Sequence, residues 1–375
     1  MRRLFFLTLT IASVLGAAPA RAQGEPERPS LPRGADTNDW EAYFDLGERH
    51  FWYRPAQAAA AFYWAGRLDP TRAEPLFARW AAFYATNQGT WEGYLDQNPQ
   101  TMRRPEVIAN DSLVLRALRR NPFVHRGLEA ALYSRMGRRL AVDNVLTAFL
   151  NYGEGDFAQA ADGFGRVVRA NPVQNYRFRQ WRALSFAGAG QLDSAAVELT
   201  ALLETLRSRD QAAVQYYYDS KALQEHALGM LHDAAGRPAE ARRAWERALE
   251  EDLTMYPTRA ALARLALRER KPEEAVEHMA QAVELAPDDA VMHLEHGNAL
   301  MAANRRDEAI AAFQRALQLE PHWAEPYLRL GVAFDNAGKP AEAVAAYRAY
   351  LQRAPRGQAS TIQRITERVG QLGQS

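Results

Sequence analysis

Residues 290–323 read AVMHLEHGNALMAANRRDEAIAAFQRALQLEPHW, and residues 324–357 read AEPYLRLGVAFDNAGKPAEAVAAYRAYLQRAPRG. Aligned, the two blocks share glycine at the eighth position (Gly297, Gly331), Glu-Ala at the nineteenth and twentieth (Glu308-Ala309, Glu342-Ala343) and an aromatic ring at the twenty-fourth (Phe313, Tyr347). Proline closes both, at Pro321 and Pro355. The same spacing runs upstream through 256–289 and 222–255. There the eighth position is Ala263 and Gly229, the twentieth Ala275 and Ala241, and the twenty-fourth Met279 and Trp245. The twenty-seventh reads Ala248, Ala282 and Ala316, and then Tyr350. A fixed period of 34 residues, four times over, is the signature of a repeat array.

Each unit spells two helices and a turn. In the last unit Tyr327, Leu330, Gly331 and Phe334 form one apolar stripe at helical spacing. Asn336 to Pro340 then breaks the pattern, and Ala343, Tyr347 and Tyr350 form the stripe of a second helix. Small residues at the eighth, twentieth and twenty-seventh positions let antiparallel helices approach, and the large one at the twenty-fourth fills the space beside them. One such unit cannot bury its apolar faces alone, so neighbours must stack.

This pattern resembles the tetratricopeptide repeat family, closely over 222–357 and loosely over 39–221. The resemblance implies an all-α fold, an α-α solenoid in which helix pairs wind into a right-handed superhelix and the first helices line a concave groove. In the family the second, fifth, ninth, twelfth and thirteenth positions face that groove. Carried over, they are His226, Met230 and Asp233; Ala260, Arg264, Leu267 and Arg268; Leu294, Asn298 and Met301; and Leu328, Val332, Asp335 and Asn336. Methionine and leucine there suit apolar side chains of a peptide, asparagine its backbone, and Arg264 with Arg268, four apart, a carboxylate. A lysine at the fifth position, which chaperone-adaptor members pair with asparagine at the ninth, is missing: beside Asn298 stands Leu294.

Across the whole chain of 375 residues the formal charge is +1, so no global field marks nucleic acid or membrane as partner. The absence of cysteine excludes disulfides, thiol nucleophiles and thiolate metal sites. Arg2-Arg3, the apolar run Leu4 to Ala17 and Ala20-Arg21-Ala22 read as a signal peptide over 1–22 with cleavage after Ala22. They imply a periplasmic or secreted protein with no stable membrane insertion, since no later stretch approaches a span.

Residues 23–38, rich in proline and charge, read as a flexible linker. Residues 39–140 read as degenerate helical repeats interrupted by a loop insert over 86–110, where Asn87-Gln88-Gly89, Asn98-Pro99 and Arg104-Pro105 are turn signals. Trp91, Tyr94, Arg103 and Arg104 are its contact-capable residues. Five of eight tryptophans (Trp40, Trp52, Trp64, Trp80, Trp91) fall in this block, as core filling or as an aromatic platform for a glycan or a proline-rich peptide. Between Thr101 and Leu140 nine arginines face three acids, a stripe whose default is a solvated face. Two divergent units occupy 141–221, with an insertion from Ser208 to Asp219 that carries Tyr216, Tyr217 and Tyr218. After 357, residues 358–375 form a capping helix, with Ser360 and Gln363 as a capping box and Ile362, Ile365, Val369 and Leu372 as its apolar face.

No phosphate-binding loop, G-x-S-x-G elbow or H-E-x-x-H motif occurs. His293 and His296 are a two-imidazole pair, too few ligands for a metal without a carboxylate. The expectation is a non-enzymatic scaffold without cofactor or metal, binding a protein or peptide in its groove within envelope assembly or secretion. The alternative is a carrier of glycan or small ligand on the aromatic N-terminal block.

Overall fold

The computed structural model describes residues 25–86, 105–124, 143–209 and 220–373. The signal segment 1–22, the insert residues 87–104 with Trp91 and Arg104, and Tyr216 to Tyr218 lie outside them. Every regular element among the described residues is helical, and the seventeen α-helices pack largely as sequential antiparallel pairs. The N-terminal block holds α1 (Trp40–His50), α2 (Pro55–Leu68), α3 (Glu74–Thr86) and α4 (Pro105–Arg120). The divergent units hold α5 (Asp143–Gly153), α6 (Phe157–Ala170), α7 (Phe178–Gly188) and α8 (Leu192–Ser208). The regular array is α9 (Lys221–Ala234), α10 (Pro238–Glu251), α11 (Tyr256–Arg268), α12 (Pro272–Leu285), α13 (Ala290–Ala302), α14 (Arg306–Leu319), α15 (Glu325–Asn336) and α16 (Pro340–Arg353). The cap is α17 (Ala359–Leu372).

The repeat grammar has a steric cause. A Cβ built on Gly229 would lie 2.3 Å from Trp245, one on Gly297 2.4 Å from Phe313, and one on Gly331 2.4 Å from Tyr347. In the unit where the eighth position is Ala263, the twenty-fourth is the slender Met279, and both are buried. The same contact recurs far upstream, where Gly47 would meet Phe62 at 2.4 Å, so α1 and α2 obey the array's rule. Each first helix ends alike. The N–H of Arg237, Lys271, Arg305 or Lys339 bonds the carbonyl five residues back, and the residue before it is left-handed. This is the Schellman closure, filled by Gly236 and Gly338 but also by Arg270 and Asn304 at φ 62°.

The first helices α11, α13 and α15 touch one another across successive units. The second helices are not in comparable contact, so the array bends toward the first-helix layer. The cap seats Ile365 against Tyr347, Tyr350 and Ala354, with Ile362, Val369 and Leu372 around it. The capping box does not form: Gln358 precedes the helix without a side-chain bond, and Gln363 donates to Glu367 instead.

The largest departure from the sequence reading is where the N-terminal block goes. It folds back along the loops between the regular repeats and meets each in turn. Ala222, Leu223 and Met255 share one apolar cluster with Phe77, Trp80, Leu113 and Val114. Arg120 binds Asp289, Arg67 reaches the Leu319 carbonyl and Glu320, and Asn38 donates to the Gln352 carbonyl at 3.2 Å. From Asn38 through Arg67 to Arg120 the polar contacts step back along the array, from residue 352 to 320 to 289. Residues 25–38, expected to be flexible, are held in this seam. Trp64 Nε1 donates to the Pro26 carbonyl at 3.0 Å, and Asp36 accepts the Arg356 N–H at 2.6 Å. Residues 105–110, expected within the insert, are helical: α4 begins at Pro105, and proline is favoured at the first helical position.

Two substitutions test the packing rule. Gly297→Ala should destabilise the chain by about 1–3 kcal/mol in urea unfolding. Adding Phe313→Met, which copies the Ala263/Met279 unit, should recover most of that loss. Arg270→Gly, relieving the left-handed residue, should stabilise by up to ~1 kcal/mol by the same measurement.

Candidate functional site: the first-helix face and the seam beside it

The face expected to bind is built by α9, α11, α13 and α15, with the cap α17 beside the last of them. Its arginines are not free forks. Arg268 on α11 pairs with Asp233 on α9, and Arg264 Nη1 lies 2.8 Å from both carboxylate oxygens of Glu295 on α13. From the cap, Arg368 grips Asp335 on α15 through two hydrogen bonds of 2.7 Å, and this pairing holds the Asp335 carboxyl below its ordinary range. Each pair crosses one helix-helix boundary, so the ladder ties neighbouring units together. All are at least partly exposed, and exposed pairs contribute about 0–1 kcal/mol each.

Three expected groove residues lie beneath the face. His226 is 2% exposed, with Nδ1 2.9 Å from the Thr258 hydroxyl. Burial, helped by Arg264, pushes its pKa down to about 3, so it is a neutral core residue joining α9 to α11. Ala260 and Leu294 are buried as well. For His226 the cause is the next unit, whose Thr258 packs over the fifth position. His293 is buried with Nε2 2.8 Å from the Pro287 carbonyl, and no group of three metal-ligating side chains occurs among the described residues.

What remains available clusters from α13 to α17. Asn298 and Asn336 have no hydrogen-bond partner among the described residues, and Asn336 is exposed. Met301 and Leu328 are half-buried and Val332 is 36% exposed, giving an apolar strip beside the two amides. Met230 and Leu267 extend that strip toward α9. Between α15 and α17 a cleft of about 640 Å³ opens, lined by Leu328, Val332, Asp335, Thr361, Arg364 and Arg368. Arg364 there has no ion-pair or hydrogen-bond partner among the described residues. The geometry offers apolar contact, amide hydrogen bonding and one free cation.

The tryptophans read as core filling or as a platform are largely interior: Trp80 is 1% and Trp64 6% exposed, and Trp40 is half-buried under Arg72. The arginine stripe is partly turned inward too. Arg119 lies over the Tyr256 ring, and Arg120 Nη2 is 3.0 and 3.1 Å from the two Asp289 oxygens, with both side chains largely buried. Beside them Arg67 Nη1 is 2.6 Å from Glu320 Oε2. Burial outweighs the attraction of Arg67 and Arg120 and pushes the Glu320 carboxyl up to about 7. None of this was visible in the repeat pattern, nor were two carboxylates each held by two arginines. Glu225 is held by Arg207 and Arg247, and Glu198 by Arg179 and Arg182.

A helical repeat array with a polar and apolar inner face is thus in hand, and comparison places its kind. Residues 226–290 and 294–357 match the family model of the tetratricopeptide repeat. Among solved structures the chain is similar to MamA from Desulfovibrio magneticus RS-1 (residues 41 to the end), at 16% identity over 50% of this chain and 97% of that one, TM-score 0.41. It is similar to YrrB, described as a tetratricopeptide repeat protein with an unusual peptide-binding site, at 19% identity over 52% and 94%, TM-score 0.41. It is also similar to the C-terminal part of a repeat protein from Cytophaga hutchinsonii, at 16% identity over 55% and 77%, TM-score 0.45. No curated protein matches the chain in sequence. The family match thus falls on the regular array, in residues 226–290 and 294–357.

A carboxyl whose pKa is raised on folding binds more protons in the folded state between its ordinary value and the raised one. Stability is therefore full below about pH 4.5 and falls as pH rises through about 7. Melting measured from pH 4.5 to 8 should show this decline, up to ~3 kcal/mol, and Glu320→Gln should remove that part of it.

Proposed function

We propose that the chain is an exported, non-enzymatic scaffold that holds an extended peptide segment of a protein partner on the first-helix face, from α13 to the cap. The observation that carries this reading is the contrast along the face. From α9 to Glu295 on α13 the charged side chains are mutually neutralised, whereas beyond it, apart from the Asp335–Arg368 pair, the side chains of Asn298, Asn336 and Arg364 have no partner among the described residues. Amides spaced along a groove bond a peptide backbone, and adaptable apolar side chains take its alternate residues. The free Arg364 suits a carboxylate of the bound segment. Tetratricopeptide repeats as a class mediate protein and peptide interactions, which supports the reading. The leader read in residues 1–22 supports placement in the envelope, in assembly or secretion. No described helix is long and apolar enough to cross a membrane.

A photocrosslinking residue placed at Val332 in cells should capture one dominant protein. Asn298→Ala/Asn336→Ala should reduce that capture at least ~10-fold, about 1.4 kcal/mol. The same probe at Val197, exposed on α8, serves as control. Equal capture at both sites, or capture unaffected by the double substitution, would reject the first-helix face as the binding surface. N-terminal sequencing of the envelope fraction should begin at Gln23.

A further inference from the structure

The segment from Glu25 to Leu31, Glu-Pro-Glu-Arg-Pro-Ser-Leu, lies on α1 and α2 as a bound peptide lies on a receptor. Its Arg28 guanidinium is stacked between two rings, 5.1 Å from the Tyr43 centroid and 4.8 Å from that of Trp64, and Arg28 Nε donates to the Tyr43 hydroxyl at 2.9 Å. Trp64 Nε1 donates to the Pro26 carbonyl at 3.0 Å, the one hydrogen bond from a helix to the backbone of 25–31 among the described residues. Glu25 accepts from Arg67 Nη2 at 2.8 Å and from the Tyr63 hydroxyl at 3.4 Å, and lies 3.8 Å from His322. Leu31 packs into the cluster of Tyr43, Trp64, Ala65 and Leu68. Glu27 and Ser30 face outward.

Recognition here is by side chain, at spacings of three residues, on a segment whose two prolines keep it extended. The donors and rings that read it belong to folded helices and to the repeat edge, while the Thr37 carbonyl, just before α1, also accepts from Arg28. A planar guanidinium between two rings is specific to arginine, since a lysine ammonium cannot stack.

We propose that the Tyr43–Trp64 cleft with Arg67 is a second recognition site, for an extended Glu-Pro-x-Arg-x-x-Leu segment presented by a protein partner, and that residues 25–31 are its resident occupant. The partner is a protein rather than a glycan, because the site reads an acid, a guanidinium and an aliphatic side chain at peptide spacing. A tethered copy acts at an effective concentration on the order of millimolar, so the intact chain responds only to a partner that is itself abundant or multivalent. This site is separate from the first-helix face, and its test leaves that face untouched.

The test uses the full chain carrying Glu25→Ala/Arg28→Ala/Leu31→Ala, which empties the site, and a fluorescein-labelled peptide with the sequence of residues 24–36. Fluorescence anisotropy should show saturable binding to the variant, at least ~10-fold tighter than to the unsubstituted chain. The same peptide with lysine for the arginine should bind at least ~10-fold more weakly. Should the triple variant lose its far-ultraviolet circular dichroism, the single Arg28→Ala chain replaces it, with the same two comparisons. Three results would each overturn the proposal: absence of saturable binding to a folded variant, equal binding to variant and unsubstituted chain, or indifference to the arginine-to-lysine change.

Discussion

The architecture hangs on one close approach, a helix backbone laid against the flat of a large side chain. At Gly229, Gly297 and Gly331 nothing larger than hydrogen fits, because Trp245, Phe313 and Tyr347 lie where a Cβ would stand. That contact sets the distance between the two helices of a unit, and with it the slot into which the next unit packs. Where the ring is replaced by Met279, the constraint relaxes and Ala263 appears in place of glycine. Gly47 and Phe62 meet the same way, which is why a segment with weak repeat spelling still folds as a repeat pair.

A second constraint is electrostatic and lies in the seam. Arg67, Arg120, Glu320 and Asp289 lose much of their hydration when the N-terminal block docks, and they recover it through one another and through the Pro70 and Leu319 carbonyls and Glu25. Such an arrangement is costly to build and costly to break by halves, so it specifies one docked geometry more than it adds stability. The apolar end of the seam, where Leu223 and Met255 join Phe77, Trp80 and Val114, supplies the cohesion.

The parts legible in the sequence were those written periodically. The helix pairs of the regular array and their turns follow from a spacing that repeats every 34 residues, and the cap from its own apolar stripe of Ile362, Ile365, Val369 and Leu372. The seam is not periodic. It joins residue 38 to 352, residue 67 to 320 and residue 120 to 289, and a repeat pattern reports only what neighbours share. His226 shows the limit in miniature: its position in the unit matched the groove, but the partner that buries it, Thr258, stands in the next unit. Residues 25–38 read as linker because proline and charge usually stay solvated. Here those same residues meet rings and a guanidinium arranged to hold them.

The seam touches the loops of successive repeats, and that has a mechanical meaning. A repeat array ordinarily behaves as a spring, since small rotations between neighbours add up to a large change of pitch. A brace fixed at several points along one edge removes that freedom, because any rotation at one joint must stretch the contacts at the others. The inner face is thus held at a single curvature, like a gauge block rather than a hinge, and a partner must bring its own flexibility to the encounter.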